Sequence, residues 1–245
     1  MTASADLAEP ARKAATPALR PRDAATLLIL DRGAGGQPRV LVGRRHHRHV
    51  FMPGMFVFPG GRVDPADSRI AVADDYEPAV AAKLMVDMRG PKTAARARAF
   101  GIAAVRETYE EAGLFVGARN ARPATRGRGF EAFAERGLVP SLAPMRLVAR
   151  AITPPGRPRR FDARFLAVWA DAVVDRLPEG TGPSGELEEL TWVGLDEALT
   201  LELPRITHVV LRELAERLVD DPELSPEWPA PFYSWRGQGF DRRVI

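Results

Sequence analysis

The chain has 245 residues, of which 45% are hydrophobic, and it carries a formal net charge of +3. This length fits one large domain, and the hydrophobic content suffices for a packed core. The chain has no cysteine, which excludes disulfides, thiolate catalysis and cysteine-ligated zinc or iron–sulfur sites. No apolar run approaches the roughly 20 residues that span a bilayer, and we expect a cytoplasmic protein.

An arm and a hairpin are predicted first. Residues 1–22 are rich in alanine, proline and charge without periodicity, so we expect a flexible N-terminal arm. The apolar residues 24–30 predict a buried strand, and a glycine-rich turn separates them from a second strand at residues 40–44. This pattern is typical of a hairpin.

Residues 44–49 are all arginine or histidine and allow three interpretations. Arg44 and Arg48 could bind substrate phosphates through charge-assisted hydrogen bonds. The histidines could hold a metal, although Mg²⁺ and Ca²⁺ prefer oxygen and the spacing matches no zinc pattern. A solvated loop is the third interpretation.

A glycine pair follows a strand predicted at residues 55–58. Glycine lets the backbone approach a ligand closely, so Gly60 is a candidate site residue, and a plain turn at the end of the strand is the alternative interpretation. Next comes a candidate insertion at about residues 68–92, in which a helix is predicted over residues 76–88.

The next helix carries three carboxylates within five residues. Glu107, Glu110 and Glu111 lie at i, i+3 and i+4, so they share one face of a helix. The apolar residues form a stripe on the opposite side, which consists of Ile102, Val105, Tyr109 and Ala112. Thr93 is a fair N-cap for this helix and Gly113 a fair C-terminal stop.

Carboxylates this close repel one another and weaken a helix. A solvated face with basic partners such as Arg106 would offset that cost. A divalent cation would offset it better, because hard cations take carboxylate oxygens and substrate phosphates as ligands.

The second half of the chain predicts mostly short elements. Arg159 and Arg160 lie in a basic turn that is either solvated or binds phosphate. The predicted elements are a loop at residues 117–129, strands at 146–152 and 163–170, and helices at 130–136, 195–199 and 206–218. The tail, residues 221–245, is expected to pack on the domain or on the second subunit of a homodimer.

Three parts of the chain together resemble the Nudix box. They are Phe58-Pro59-Gly60-Gly61, Asp67, and Arg106-Glu107-x-x-Glu110-Glu111-x-Gly113-Leu114. Asp67 replaces the first glutamate of that pattern, and Thr108 replaces an aliphatic residue. The step from Asp67 to Arg106 is 39 residues, far longer than in the family pattern. A long insertion here is similar to the Nudix branch that includes the peroxisomal coenzyme A diphosphatase.

The resemblance implies a fold and a metal site. The fold class would be α/β, a Nudix-type α/β/α sandwich with a mixed central sheet and a helical insertion, over residues 23–220. Mg²⁺ or Mn²⁺ would be held by Glu107, Glu110, Glu111 and the carbonyl oxygen of Gly60.

The resemblance also implies catalytic roles. Arg106 would orient a glutamate, and Glu107 or Glu110 would accept a proton. A further acid downstream would complete the metal shell or act as the base. Glu189 is the first choice for it and Glu186 the second, and a polar edge strand is the alternative interpretation of this segment.

The implied function is hydrolysis of the pyrophosphate bond in a nucleoside diphosphate linked to another group, with coenzyme A or acyl-coenzyme A as the substrate of the branch. The sequence motif tied to coenzyme A recognition has an arginine at the position that Val50 occupies here. Arg48 or Arg44 would then supply the positive charge that binds the substrate. One alternative is an inactive Nudix-fold ligand-sensing module. The other is an RNA-binding or RNA-cap-hydrolysing protein, for which +3 is a small charge. We expect a small nucleotide-like partner and neither membrane nor nucleic acid.

Overall fold

The computed structural model describes residues 19–48, 54–119, 127–237 and 239–245. Most of the predicted N-terminal arm, Val50 and the middle of the predicted loop at residues 117–129 lie outside these ranges. None of the helices in the described ranges has both the length and the apolar character needed to cross a membrane.

The described residues form twelve strands and five helices. The strands are β1 (Arg22–Asp31), β2 (Arg39–Arg45), β3 (Phe56–Val57), β4 (Gly60–Arg62), β5 (Leu114–Arg119), β6 (Leu138–Pro140), β7 (Arg146–Ile152), β8 (Phe161–Trp169), β9 (Val173–Arg176), β10 (Leu187–Gly194), β11 (Pro231–Arg236) and β12 (Gly239–Val244). The helices are α1 (Pro78–Met85), α2 (Ala94–Ala112), α3 (Glu131–Glu135), α4 (Leu195–Ala198) and α5 (Arg205–Asp220).

Nine of these strands form one mixed sheet. Its order is β10-β2-β1-β8-β7-β11-β12, with β3 beside β2 and β4 beside β1. β1 and β8 are parallel, as are β7 and β11, whereas β1 and β2 form the predicted antiparallel hairpin. Strands β6, β5 and β9 form a smaller antiparallel sheet.

Helices cover both faces of the main sheet because β1 is apolar on both sides. Ala25, Leu27 and Ile29 pack in the same cluster as residues of α1 and α2, whereas Leu28 and Leu30 pack with residues of α5. Successive strand side chains point to opposite faces, so this alternation needs a cover on each side. Burial of each leucine or isoleucine side chain contributes about 1.5–3 kcal/mol. The α/β/α sandwich predicted from the sequence is confirmed.

The ends of α2 are fixed by the predicted caps. The Thr93 side chain accepts a hydrogen bond from the Arg96 amide at 3.3 Å, and Gly113 ends the helix at a φ of 68°. Gly101 lies inside the helix where a Cβ would overlap the Tyr76 hydroxyl and crowd Leu142. It therefore marks a close packing contact and not the start of the helix.

The insertion and the tail both join the core. Helix α1 is shorter than the predicted span 76–88 because Val86 leaves the helical conformation, but Val80 and Leu84 are buried against α2. The tail forms the β11–β12 hairpin, which extends the main sheet beside β7 and buries Phe232 and Tyr233. No strand was predicted there.

Candidate active site

The three carboxylates of α2 differ in exposure. The Glu110 side chain is 35% exposed and that of Glu107 is 16% exposed, whereas Glu111 is buried at 6%. The apolar stripe is buried at Ile102, Val105 and Ala112, and only partly at Tyr109. The expectation that all three acids face away from the packed side is therefore wrong for Glu111, because β4 lies across that turn of the helix.

The glycine pair in β4 makes this contact possible. The Gly60 amide donates a hydrogen bond to Glu111 Oε2 at 3.1 Å. A Cβ on Gly61 would overlap the Glu107 carboxylate, and a Cβ on Gly60 would lie 2.7 Å from the Ala25 carbonyl oxygen. At Gly60 a side chain would collide with the backbone of β1, whereas at Gly61 it would displace the end of the Glu107 side chain.

Arg106 connects the acids to the start of the insertion. Its Nε and Nη2 bond to the Asp67 carboxylate at 3.1 and 3.2 Å, and its Nη1 donates to Glu107 at 2.7 Å and to Glu110 at 3.5 Å. Nη2 also donates to the Arg62 carbonyl oxygen at 3.0 Å. The structure thus brings Asp67 to Arg106 although a whole helix is inserted between them.

Glu111 is the acid that this arginine does not reach. Burial, together with the neighbouring carboxylates Glu107 and Glu186, raises the pKa of Glu111 to about 8. Burial also raises the pKa of Glu107, although Arg106 opposes the shift. Buried charges are normally paired or bound to a metal, and Glu111 forms no ion pair with another described residue, whereas Glu107 pairs with Arg106.

The donor set fits a divalent cation, although the side chains are not arranged around one. No group of three His, Cys, Asp or Glu side chains in the described ranges is placed to hold a metal ion. The contacts explain why: Arg106 engages Glu107 and Glu110, whereas the Gly60 amide engages Glu111. Crowded carboxylate oxygens with raised pKa values are nevertheless the ligands that Mg²⁺ and Mn²⁺ prefer.

The structure brings Glu186, and not Glu189, towards these acids. Glu186 acts electrostatically on Glu107 and Glu111 and forms a 2.6 Å ion pair with Arg45. Glu189 is exposed and accepts only a 3.4 Å hydrogen bond from Thr191. A bulge between Leu187 and Glu189 shifts the register of β10 against β2, and a one-residue shift changes which side chains face the site.

Glu107 and Glu110 open onto a cavity of about 1000 Å³. Its walls are the start of β1, the loop that follows β4, and α2. The charged residues that line it are Arg22, Arg62, Arg96, Arg106 and Arg128 together with Asp23, Asp64, Asp67, Glu107 and Glu110. We call this the catalytic cavity. It is balanced in formal charge, because five of its described lining residues are positive and five are negative.

The predicted phosphate-binding arginines separate into two groups. Arg159 and Arg160 line a second cavity of about 660 Å³, which shares Arg22 and Arg62 with the catalytic cavity. Arg44 lies over the Phe56 ring at 5.2 Å, and Arg48 is exposed. Neither Arg44 nor Arg48 is among the described residues that line the two cavities.

The sequence did not single out Arg20, Arg22 or Arg62, which also line these cavities. Arg20 and Arg22 fell in the predicted flexible arm, but Arg22 begins β1. The Arg22 amide donates to the Arg160 carbonyl oxygen at 2.9 Å. No local pattern indicates a contact between segments so far apart.

No protein-family profile and no curated protein sequence matches the chain. Among solved structures, a NUDIX hydrolase from Alicyclobacillus acidocaldarius is 28% identical, with a TM-score of 0.62 over 84% of this chain and 99% of that one. A Nudix hydrolase from M. smegmatis, RenU, is 19% identical, with a TM-score of 0.45 over 82% and 88%. A C. elegans Ap4A hydrolase is 15% identical, with a TM-score of 0.42 over 81% and 98%.

Proposed function

We propose that this chain, a Nudix hydrolase of the Nudix superfamily, uses a divalent cation to cleave the pyrophosphate bond of a nucleoside diphosphate linked to another group. The observation that carries the proposal is the buried carboxyl of Glu111, which has a backbone amide as its hydrogen-bond partner and lies close to Glu107. Both acids lie against the glycine backbone of β4, and Glu107 lines a large cavity.

The cation would be Mg²⁺ or Mn²⁺. Glu107, Glu110, Glu111 and the Gly60 carbonyl oxygen would hold it, and Glu186 would add a further carboxylate from the strand side. When bound, such an ion neutralises phosphate charge and lowers the pKa of water. The carboxylates of Glu107 and Glu186 lie close enough to raise the pKa of Glu111, and this crowding supports the assignment.

Arg106 would act as a positioning residue. Its two bonds to Asp67, which is 2% exposed, fix the guanidinium, and its 2.7 Å bond to Glu107 fixes that carboxylate in turn. A planar guanidinium suits this task because it binds carboxylates in a defined geometry. The arrangement would hold Glu107 ready before a substrate arrives.

Glu110 is our first choice for the group that takes the proton. It lines the catalytic cavity, and its side chain is the most exposed of the three helix acids. A general base must reach the proton that it accepts, and buried Glu111 has no such access. Glu107 is the second choice, and Glu189 falls behind both because it does not line the cavity.

Coenzyme A or an acyl-coenzyme A is our proposal for the substrate. A cavity of about 1000 Å³ lies at the upper end of the range for ligand pockets. Arg22, Arg62, Arg96 and Arg128 provide positive charge for a diphosphate beside Glu110.

The test is a substrate panel with the purified chain. Coenzyme A and its acyl esters, NADH, ADP-ribose and dinucleoside polyphosphates are incubated with Mg²⁺ or Mn²⁺, and the products are identified by mass spectrometry. We expect cleavage between the two phosphorus atoms that is lost on chelation. Tight binding without turnover would contradict the proposal and favour a ligand-sensing module.

A further inference from the structure

Among the residues that the structure describes, the second cavity is lined by arginines and by no acid. Its nine described lining residues comprise five arginines (Arg20, Arg22, Arg62, Arg159 and Arg160) and four uncharged residues. We call it the arginine cavity. The catalytic cavity next to it has five charges of each sign, so the two differ sharply in electrostatic character.

Three of the five arginines have no carboxylate partner in the described ranges: neither Arg20, Arg22 nor Arg62 forms an ion pair there. Other arginines near the site do, since Arg96 pairs with Asp23 at 3.1 Å and Arg106 pairs with Asp67. Guanidinium groups stay charged at any physiological pH. Several of them around one cavity without a counter-charge create a potential that attracts an anion.

The walls of the arginine cavity are tied together. Arg160 donates to the Leu19 carbonyl oxygen at 2.6 Å and to the Thr153 carbonyl oxygen at 3.0 Å. Its own carbonyl oxygen accepts from the Arg22 amide at 2.9 Å. Arg160 therefore holds the start of β1 against the loop before β8, and the cavity is part of the folded domain.

The arginine cavity is continuous with the catalytic cavity. Arg22 and Arg62 line both, and the Arg62 carbonyl oxygen is bonded to Arg106 at 3.0 Å. One molecule can therefore place a diphosphate beside Glu110 and a second anionic group among the arginines. The volume of about 660 Å³ exceeds the needs of a lone phosphate and suits a phosphorylated sugar.

We propose that the arginine cavity binds a phosphomonoester that the substrate carries in addition to the diphosphate that is cleaved. This inference rests on the proposed function and narrows its substrate class to nucleotides that carry both a diphosphate and a separate phosphomonoester. Arg20, Arg22, Arg62 and Arg159 provide the charge-assisted hydrogen bonds to that phosphate, and Arg160 positions the wall behind them.

Substrate pairs that differ by a single phosphate test the proposal. Coenzyme A is compared with dephospho-coenzyme A, and NADPH with NADH. We expect wild-type kcat/KM to be about tenfold or more higher for the member with the extra phosphate, as one or two hydrogen bonds to a charged group allow. Equal values for both members of each pair would overturn the proposal.

The variant Arg20→Gln/Arg159→Gln removes two charges that line the arginine cavity but not the catalytic cavity. Its KM should rise about tenfold for the member with the extra phosphate, and its activity on the other member should stay near the wild-type value. Arg176→Gln changes an exposed arginine of β9 that lines neither cavity and should leave both values unchanged. An equal loss on both members in the double variant would contradict a dedicated phosphate site.

A binding measurement separates this inference from the proposed function. Adenosine 3′,5′-bisphosphate and 5′-AMP are titrated calorimetrically into the wild type and the double variant. Tighter binding of the bisphosphate that is lost in the variant supports the arginine cavity even if no substrate is hydrolysed. Equal affinities for the two nucleotides overturn it even if the chain is an active pyrophosphohydrolase.

Discussion

Two buried charge clusters lie on α2's side of the main sheet, and they are built in opposite ways. In the first, Arg150 bonds to both oxygens of Asp162 at 2.8 and 2.7 Å, and Arg164 reaches Asp162 and Asp23 at 3.0 and 3.1 Å. In the second, Glu111 has one backbone amide as its partner and two carboxylates as neighbours. We call these the paired cluster and the acid cluster.

The difference separates structure from function. Each carboxylate of the paired cluster has an arginine, and Arg164 also lies over the Phe100 ring at 3.9 Å. The carboxylates of such a cluster are paired within the protein, although Arg164 Nε and Nη2 lack hydrogen-bond partners, and its loss should affect folding. In the acid cluster Glu111 forms no ion pair with another described residue, and its burial costs stability unless a ligand supplies positive charge. Four predictions test this distinction.

The largest effect is expected for Glu111→Gln. Glutamine keeps an oxygen that can accept from the Gly60 amide but removes the charge that a cation needs. The kcat with saturating Mg²⁺ should fall about 10³-fold, while the midpoint of urea unfolding should not decrease. Turnover at the wild-type rate would remove Glu111 from the cation site.

In the paired cluster, Asp162→Asn should act in the opposite way. Arg150 and Arg164 would lose a buried counter-charge, so the free energy of unfolding should fall by about 3 kcal/mol or more. The kcat of the molecules that remain folded should change little. Asp171→Asn, at an exposed position, is the matched control for denaturant titration and should leave the stability unchanged.

Gly61, which contacts α2, and Gly101, which lies inside it, give a finer contrast. In Gly61→Ala the new methyl group would push aside the Glu107 carboxylate, which is the end of a flexible side chain. The kcat should fall by about 10²-fold with little loss of stability, because small displacements of catalytic groups are costly.

Gly101→Ala is the partner experiment. Its methyl group would collide with Tyr76 and Leu142 in the core, so the free energy of unfolding should fall by about 1–3 kcal/mol while kcat is retained. Steady-state kinetics and urea unfolding on both variants check the pair. A stable Gly61→Ala enzyme with full activity would contradict the role given to Glu107.

The last contrast concerns pH. Glu111 has a pKa of about 8 in the folded chain against 4.5 ordinarily, so between these values the folded state binds more protons than the unfolded state. The stability of the metal-free chain should therefore fall as pH rises from about 4.5 to 8, by at most about 1.4 kcal/mol per pH unit. Unfolding in EDTA at several pH values measures this slope, which should become shallower in Glu111→Gln; the raised pKa of Glu107 leaves a remainder.

The sequence predicted what depends on neighbours along the chain. Thr93 and Gly113 cap α2 as expected, because capping is a local property of a helix end. The apolar run of β1 predicted a buried strand. The Nudix-box resemblance also selected Asp67 and Arg106, which meet in space across 39 residues.

Contacts between distant segments could not be predicted in the same way. The burial of Glu111 depends on β4 docking on α2, and the choice of Glu186 over Glu189 depends on a bulge in β10. The arginine cavity combines the start of β1, the end of β4 and the loop before β8. None of these features leaves a periodic pattern in a single sequence.

The central claim is that the acid cluster is where a divalent cation binds. The most direct test is a Mn²⁺ titration of the metal-free chain followed by electron paramagnetic resonance, with Glu111→Gln and Asp171→Asn alongside. We predict a Mn²⁺ site in the wild type and in Asp171→Asn that is lost or greatly weakened in Glu111→Gln. Equal Mn²⁺ affinity in all three proteins would contradict the claim.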